Sequence, residues 1–355
     1  MKLSYLQERI VHSTEKNIIV IAAAASGKTR VLTERVKWLL DQGADPNKMV
    51  VFTFTNAAAE EIRSRIGEKG KDVFINTIHS YAFNLLLKNG IDAGKAADEE
   101  RFDDFFHMIE NNLDCIEEVE YLLLDEAQDS NLLQYKFILG MIKPKSVFIV
   151  GDYRQSIYEW NGGRPDILMG LSESREFITY NLNENYRNGP TILRFAKKLI
   201  GSSIMDDYPL MDDSICMNEF EVDAVSEVNF ISDDIVARIN KNKDYGKWFI
   251  LTRSNVQIDF MMDALRKAEI PCDTFKRSQI SSEEFHTKMN SNTVKILTVH
   301  ASKGLEADNV IVVGVPKWHR KPEERRIAYV AATRARKQLV WTKEFNNKIK
   351  VSNWE

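Results

Sequence analysis

A chain of 355 residues with 44% hydrophobic content, 16 glycines and 8 prolines has apolar material for two ordinary cores and little for long flexible tracts. A net charge of −4 argues against a protein that simply coats nucleic acid, and three widely separated cysteines (Cys115, Cys216, Cys272) give no metal-ligand spacing, iron–sulfur framework or disulfide set. The opening "MKLSYLQERIVHSTEK" has no signal-like apolar core, and no apolar run reaches membrane-spanning length, so the chain reads as soluble and cytoplasmic with no membrane partner.

In chain order, "NIIVIA" is a β-branched run that predicts a buried strand, and "TRVLTERVKWLL" places Val31, Val36, Leu39 and Leu40 on one helical face. Between them Ala22 to Thr29 fits a relaxed phosphate-loop pattern. Gly27 lets the backbone close round an anion, Lys28 can reach phosphate oxygens, and the Thr29 hydroxyl can hold Mg²⁺ at a helix N-terminus. An ordinary turn that happens to contain Gly-Lys-Thr is the competing reading of this stretch alone.

Further strands are expected at "MVVFTF", "YLLLD", "SVFIV", "EFITYNL", "WFIL", "VKILTV", "NVIVVG" and "QLVWT", with helical patterns between them, which indicates parallel α/β sheets in two similar lobes. In "YLLLDEAQDS", Asp125 and Glu126 follow a buried strand at its carboxyl end, where such sheets place ligands. Asp125 can orient Mg²⁺ and Glu126 can polarise the water attacking a γ-phosphate; two solvated acids at a strand exit are the alternative for this dipeptide alone. Paired with the upstream loop, the two acids favour an NTPase. Charge is uneven: Val315 to Lys350 holds 11 Lys/Arg against 3 Asp/Glu, while "ADEERFDDFFHMIENNLDCIEEVE" and the segment around 201–227 are acidic. A basic tract can guide a polyanion, and a solvated helical face accounts for the charge equally well.

These stretches, taken in order, resemble the UvrD/Rep/PcrA-like branch of superfamily 1 DNA helicases. "YLQERIV" is similar to the adenine-reading glutamine motif, "IAAAASGKTR" to the first helicase motif, and "VFTFTNAAAEEIRSRI" and "NTIHSYAFNLL" to the next two. "LLLDEAQDS", "VFIVGDYRQSIYEWNGG", "LNENYRN", "ILTVHASKGLEADNVIVVG" and "RRIAYVAATRARKQL" follow in the family's order. The resemblance implies two RecA-like parallel-sheet domains of the P-loop NTPase class, at 1–182 with a short helical insertion at about 85–118, and at 183–355.

It further implies ATP and Mg²⁺ as cofactors. Lys28, Asp125, Glu126, Gln155, Arg187 and Arg334 would be catalytic, with Gln155 sensing the γ-phosphate, Arg187 touching it and Arg334 as the arginine finger. Gln7 would read adenine, Ala22, Ala23, Ala24, Ala25, Ser26, Gly27, Lys28, Thr29 and Arg30 would surround the phosphates, Tyr186 would pack on the base and Glu306 would hold the ribose. Thr29 and Asp125 would hold the metal, and Phe54, Asn56, His79, Tyr158, Trp160 and His300 would meet DNA. Base–aromatic stacking tolerates any sequence, which suits a motor. For Phe54 and Trp160 the residues alone favour core aromatics; the motif favours stacking.

Departures from the pattern matter as much. Relatives read Ala-Gly-Ala-Gly-Ser-Gly-Lys-Thr, so Ala23 and Ala25 replace glycines, and alanine fits only where φ is negative or at a cost where it is not. Ala57 and Asn161 stand where lysine and arginine are usual, removing positive charge from the expected DNA path. His79 and Asp125 are only 46 positions apart, and Pro271 to Val294 is a short linker, so both usual subdomain insertions are trimmed. The expected activity is an ATP-dependent DNA helicase or translocase moving 3′ to 5′ on single-stranded DNA or a single-/double-strand junction, with ATP hydrolysed between the lobes. The other reading is a nucleotide-switched accessory subunit of a nuclease, replication or antiphage defence complex, in a bacterial or phage-infected cell.

Overall fold

The computed structural model describes residues 2–200, 214–218, 223–228, 232–241, 243–275, 282–314 and 321–342. Much of the 201–227 acidic segment and parts of the 315–350 basic tract and the 271–294 linker lie outside these residues. The chain divides into two compact units, Met1–Asn183 and Glu184–Glu355.

The first unit is a six-stranded, all-parallel sheet. Its strands are β1 (Asn17–Ala22), β2 (Met49–Phe52), β3 (Phe74–Asn76), β4 (Tyr121–Leu124), β5 (Ser146–Gly151) and β6 (Ile178–Leu182), arranged β3-β2-β4-β5-β1-β6. Because helices cover both faces, the central strands are buried on both sides and read as unbroken apolar runs rather than alternating ones. Ile18, Val20, Val51, Leu123 and Phe148 face one layer, formed by α1 (Tyr5–Val11), α2 (Lys28–Asp41) and α3 (Asn56–Ile66). Ile19, Ile21, Phe52, Leu122 and Ile149 face the other, which contains α4 (Ile78–Lys88), α5 (Gly94–Asp98), α6 (Asp104–Glu110), α7 (Leu132–Tyr135) and α8 (Pro165–Glu173).

Caps set where these helices start. Ser4 and Gln7 form a capping box on α1, the Thr55 hydroxyl accepts from Ala58 N at 3.2 Å, and the Thr77 hydroxyl accepts from Ser80 N at 3.2 Å. The expected insertion resolves into α5, α6 and a 3₁₀ turn at Leu113–Cys115; residues 85–88 belong to α4.

The second unit repeats the plan. A short ladder of β7 (Glu184–Asn185) with β8 (Ile215–Cys216) precedes another all-parallel sheet, with the order β11-β12-β10-β13-β14-β9. Its strands are β9 (Ala224–Val228), β10 (Trp248–Thr252), β11 (Cys272–Phe275), β12 (Val294–Thr298), β13 (Ala307–Val312) and β14 (Ala335–Thr342). Trp248, Ile250, Ile296 and Ile311 pack with Ile235 and Ile239 of α10 (Ser232–Asn240) and with Ile258, Met261 and Leu265 of α11 (Asn255–Lys267). Further helices are α9 (Pro190–Ile200), α12 (Ser282–Asn290) and α13 (Pro322–Ala332), and α9 packs against α13. The strands absent from the sequence reading, β3, β7, β8, β9 and β11, are short: β3 and β11 close one edge of each six-stranded sheet, β9 the far edge of the second, and β7 and β8 pair with each other.

Candidate functional site

Parallel register carries the carboxyl ends of β1 and β4 to the same side of the first sheet, with β5 between them. From β1 the chain enters the loop Ala22–Gly27. Ala22, Ala23 and Ala24 are fully buried, and Ala23 N donates to Leu182 O at 2.9 Å. Two residues take left-handed backbone: Gly27 at φ 87° and Ala25 at φ 59°. Ala25 is therefore the costly replacement and Ala23 the harmless one, the left-handed region disfavouring a Cβ by about 1–2 kcal/mol. At Gly27 a Cβ would also lie 2.9 Å from Gln7 Nε2.

Gln7 is buried beneath this loop: its Oε1 accepts from Ser4 N at 3.0 Å and its Nε2 donates to Ser26 O at 3.0 Å. An amide oxygen has a second lone pair and an amide nitrogen a second hydrogen, so hydrogen-bonding capacity toward a base remains. The Ser26 hydroxyl is buried without a protein partner, as a loop shaped for an external oxyanion requires. Lys28 and Thr29 follow on the first turn of α2, where the helix dipole favours negative charge.

Across β5, Asp125 is buried at the end of β4, and Glu126 sits in left-handed backbone at φ 50°. Burial and then the adjacent Glu126 carboxylate push the Asp125 carboxyl well above the usual range, and Lys28 offsets part of this. Lys28 Nζ lies 3.9 Å from Glu126 Oε1. The Thr53 hydroxyl is a further buried group with no protein partner. The Thr29 hydroxyl and the Asp125 carboxylate are oxygen donors of the kind Mg²⁺ takes, and the buried Ser26 hydroxyl, with no protein partner, is compatible with an oxyanion at the loop.

Gln155 is buried, with its Nε2 2.7 Å from Asp152 Oδ2. A cavity of about 540 Å³ joins the carboxylates to Phe54 and His79, two of the expected DNA-contact residues, and is lined also by Thr53, Asp103, Glu126 and Asn161. Phe54 is stacked on Tyr158 at 4.9 Å between centroids and 28° between planes. Tyr158 is 2% exposed, so that ring belongs to the core; Trp160, 67% exposed, is the open ring of the segment. Asn56 is exposed at the start of α3. His79 is half-buried, its Nε2 3.1 Å from Asp103 Oδ1, and Asn131 Nδ2 donates to both Asp103 oxygens at 3.2 Å. Asp103, in sequence one acid of a strongly acidic segment, thus occupies two polar side chains of the groove.

In the second unit, Arg187 Nε pairs with Glu306 Oε2, and its Nη1 donates to Thr333 O at 3.3 Å. Burial works to raise the Glu306 carboxyl, but Arg187, Arg336 and Arg334 outweigh it and hold the group below its ordinary value. Tyr186 OH donates to Glu184 Oε2 at 3.0 Å, and His300 is half-buried in the turn after β12. Arg334 is 2% exposed: its guanidinium donates to Val330 O, Leu305 O and the Thr333 hydroxyl. The expected finger is folded inward, because a buried guanidinium takes the carbonyls within reach. Arg187, at 16%, and Arg336, at 43%, are the more open guanidiniums beside Glu306.

The family described as the UvrD/REP helicase N-terminal domain matches residues 3–118 and 110–176, and the UvrD-like helicase C-terminal domain matches 180–280 and 273–344. Among curated relatives, the ATP-dependent DNA helicase PcrA of Staphylococcus epidermidis is 23% identical over 88% of this chain and 55% of its own length. The Staphylococcus aureus protein of the same name is 24% identical with the same coverage. A Mycoplasma pneumoniae protein named "Probable DNA helicase" is 25% identical over 90% of this chain and 79% of its own length. The chain spans about half the length of the PcrA relatives it matches.

Two substitutions probe this geometry. Ala25→Gly should stabilise the protein by about 1 kcal/mol in denaturant titrations, since glycine takes φ 59° without a Cβ penalty; a destabilised variant would refute the strain. Because burial raises the Asp125 carboxyl to about 7 in the folded state, its cost is absent below the unfolded value of about 4, accrues as pH rises from there to about 7, and is complete above that. Asp125→Asn should therefore gain about 1–3 kcal/mol over wild type at about pH 8, a smaller amount at about pH 5, and least below about pH 4. A gain independent of pH would exclude that origin.

Proposed function

The chain belongs to the UvrD/REP helicase family, and on that premise we propose that it is a DNA-dependent ATPase that translocates on single-stranded DNA. The observation that carries the reading is Lys28 Nζ 3.9 Å from Glu126 Oε1 beside a buried Asp125, on a loop whose Ser26 hydroxyl has no protein partner. Lys28 and the α2 N-terminus bind the β- and γ-phosphates, drawing Lys28 off Glu126, whose carboxylate then orients water for in-line attack. Thr29 and Asp125 would hold Mg²⁺, which would supply positive charge to the phosphate oxygens. Arg187 and Arg334 complete the charge stabilisation from the second unit, Arg334 after leaving its carbonyl partners. Trp160 stacks bases, and the 3′-to-5′ direction follows the family resemblance.

Asn161 and Ala57, in place of the usual basic residues, together with the Asp103 contacts, favour a second reading: a nucleotide-switched subunit whose DNA engagement waits on a protein partner. The two are separated by ATP hydrolysis with and without single-stranded DNA. A motor shows strong stimulation that Lys28→Ala abolishes; nucleotide binding without stimulation supports the switch.

Asp103 makes its own prediction. A carboxylate held on His79 and Asn131 repels phosphate and occupies the groups that would meet it. Asp103→Asn should tighten single-stranded DNA binding by about threefold to tenfold at low salt, with a smaller change at high salt. Weaker binding would mean that Asp103 holds His79 in a DNA-competent pose instead.

A further inference from the structure

Gln128, two residues beyond Glu126, has no solvent exposure. A buried amide must find partners for both ends, and Gln128 takes them from two different functional segments. Its Nε2 donates to Glu126 Oε2 at 2.5 Å, and its Oε1 accepts from Asp152 N at 2.9 Å. Asp152, also fully buried, receives Gln155 Nε2 on one carboxylate oxygen, and Arg154 N and Nε on the other. The backbone is shaped to admit this amide: a Cβ at Gly151 would lie 2.9 Å from Gln128 Oε1 and 2.7 Å from Leu168 Cδ2. Tyr135 OH fixes the preceding turn by donating to Ala127 O at 2.8 Å.

The two oxygens of Glu126 are thereby divided, Oε1 toward Lys28 and Oε2 toward Gln128. When Lys28 turns to phosphate, the Gln128 bond still fixes the carboxylate's rotation. The same amide ties that rotation to the segment 152–160, which runs from Gln155 to the exposed ring of Trp160. A purely structural glutamine could have taken backbone partners alone; this one gives its donor to a reactive carboxylate that sits in strained backbone.

We propose that Gln128 is a positioning residue that sets the orientation of Glu126 and transmits the state of the 152–160 segment to it, so that DNA on Trp160 alters the rate of the chemical step. This rests on the ATPase reading above. Geometry of this kind is worth one to two orders of magnitude when misplaced by about 1 Å.

The test is steady-state ATP hydrolysis, with and without single-stranded DNA, by wild type, Gln128→Met, Gln128→Glu, Glu126→Gln and the Q128M/E126Q double variant. Methionine keeps the volume and removes both bonds; glutamate keeps an acceptor for Asp152 N and removes the donor to Glu126. Both single variants at Gln128 should lose about tenfold or more in DNA-stimulated kcat, with KM for ATP and DNA affinity within about threefold of wild type. The double variant should fall no further than Glu126→Gln alone. Unchanged kcat in both variants overturns the proposal, as does a loss that appears equally in KM, or one that adds fully to the E126Q effect. In those cases wild-type hydrolysis leaves the ATPase reading standing, whereas a wild type that hydrolyses nothing removes both.

Discussion

A carboxylate that burial disfavours, and a lysine close enough to answer it, set the terms of the first unit. Asp125 stands where the core ends, its charge opposed by desolvation and by Glu126 and supported by Lys28. Holding one cation and two anions there requires that β1 and β4 finish on the same side of the sheet, that the loop between β1 and α2 stay tight, and that something keep Glu126 from collapsing onto the lysine. The sheet order supplies the first, Gln7 beneath Ser26 the second, and Gln128 the third. Such a cluster keeps a buried carboxylate at an electrostatic cost, the usual exchange of stability for reactivity at sites of this kind.

The second unit solves a different problem. Its guanidiniums are held by protein oxygens: Arg187 by a carboxylate, Arg334 by carbonyl and hydroxyl oxygens. Each such charged hydrogen bond contributes roughly 1.5–3 kcal/mol.

The central strands were legible because double burial in a parallel sheet writes a continuous apolar run, as in "NIIVIA" and "SVFIV". β3, β9 and β11 were not: an edge strand of three to five residues such as "CDTF" carries no such run. The loop and carboxylate residues lie inside short motifs and could be read in place. Gln128, Asp152 and Asp103 could not, because their meaning is a bond to a residue 24 or 28 positions away. Burial divides Tyr158 from Trp160 although they are two residues apart with similar chemistry; only packing on Phe54 separates them. Ala25 marks a middle case: its substitution was visible, but that it and not Ala23 bears the strain needed the backbone angles.

Strand order also has a meaning in time. β1 leaves the ribosome first, yet its neighbours in the sheet, β5 and β6, begin at Ser146 and Ile178. The loop after β1 is pinned to Leu182 O, almost the last residue of the unit. During synthesis the apolar "NIIVIA" segment therefore waits, unpaired, until nearly the whole first unit has been made. Closing so many distant contacts late makes for a slow-folding sheet whose most hydrophobic strand is exposed longest, so the nascent chain, more than the finished protein, is the form most in need of protection by a chaperone.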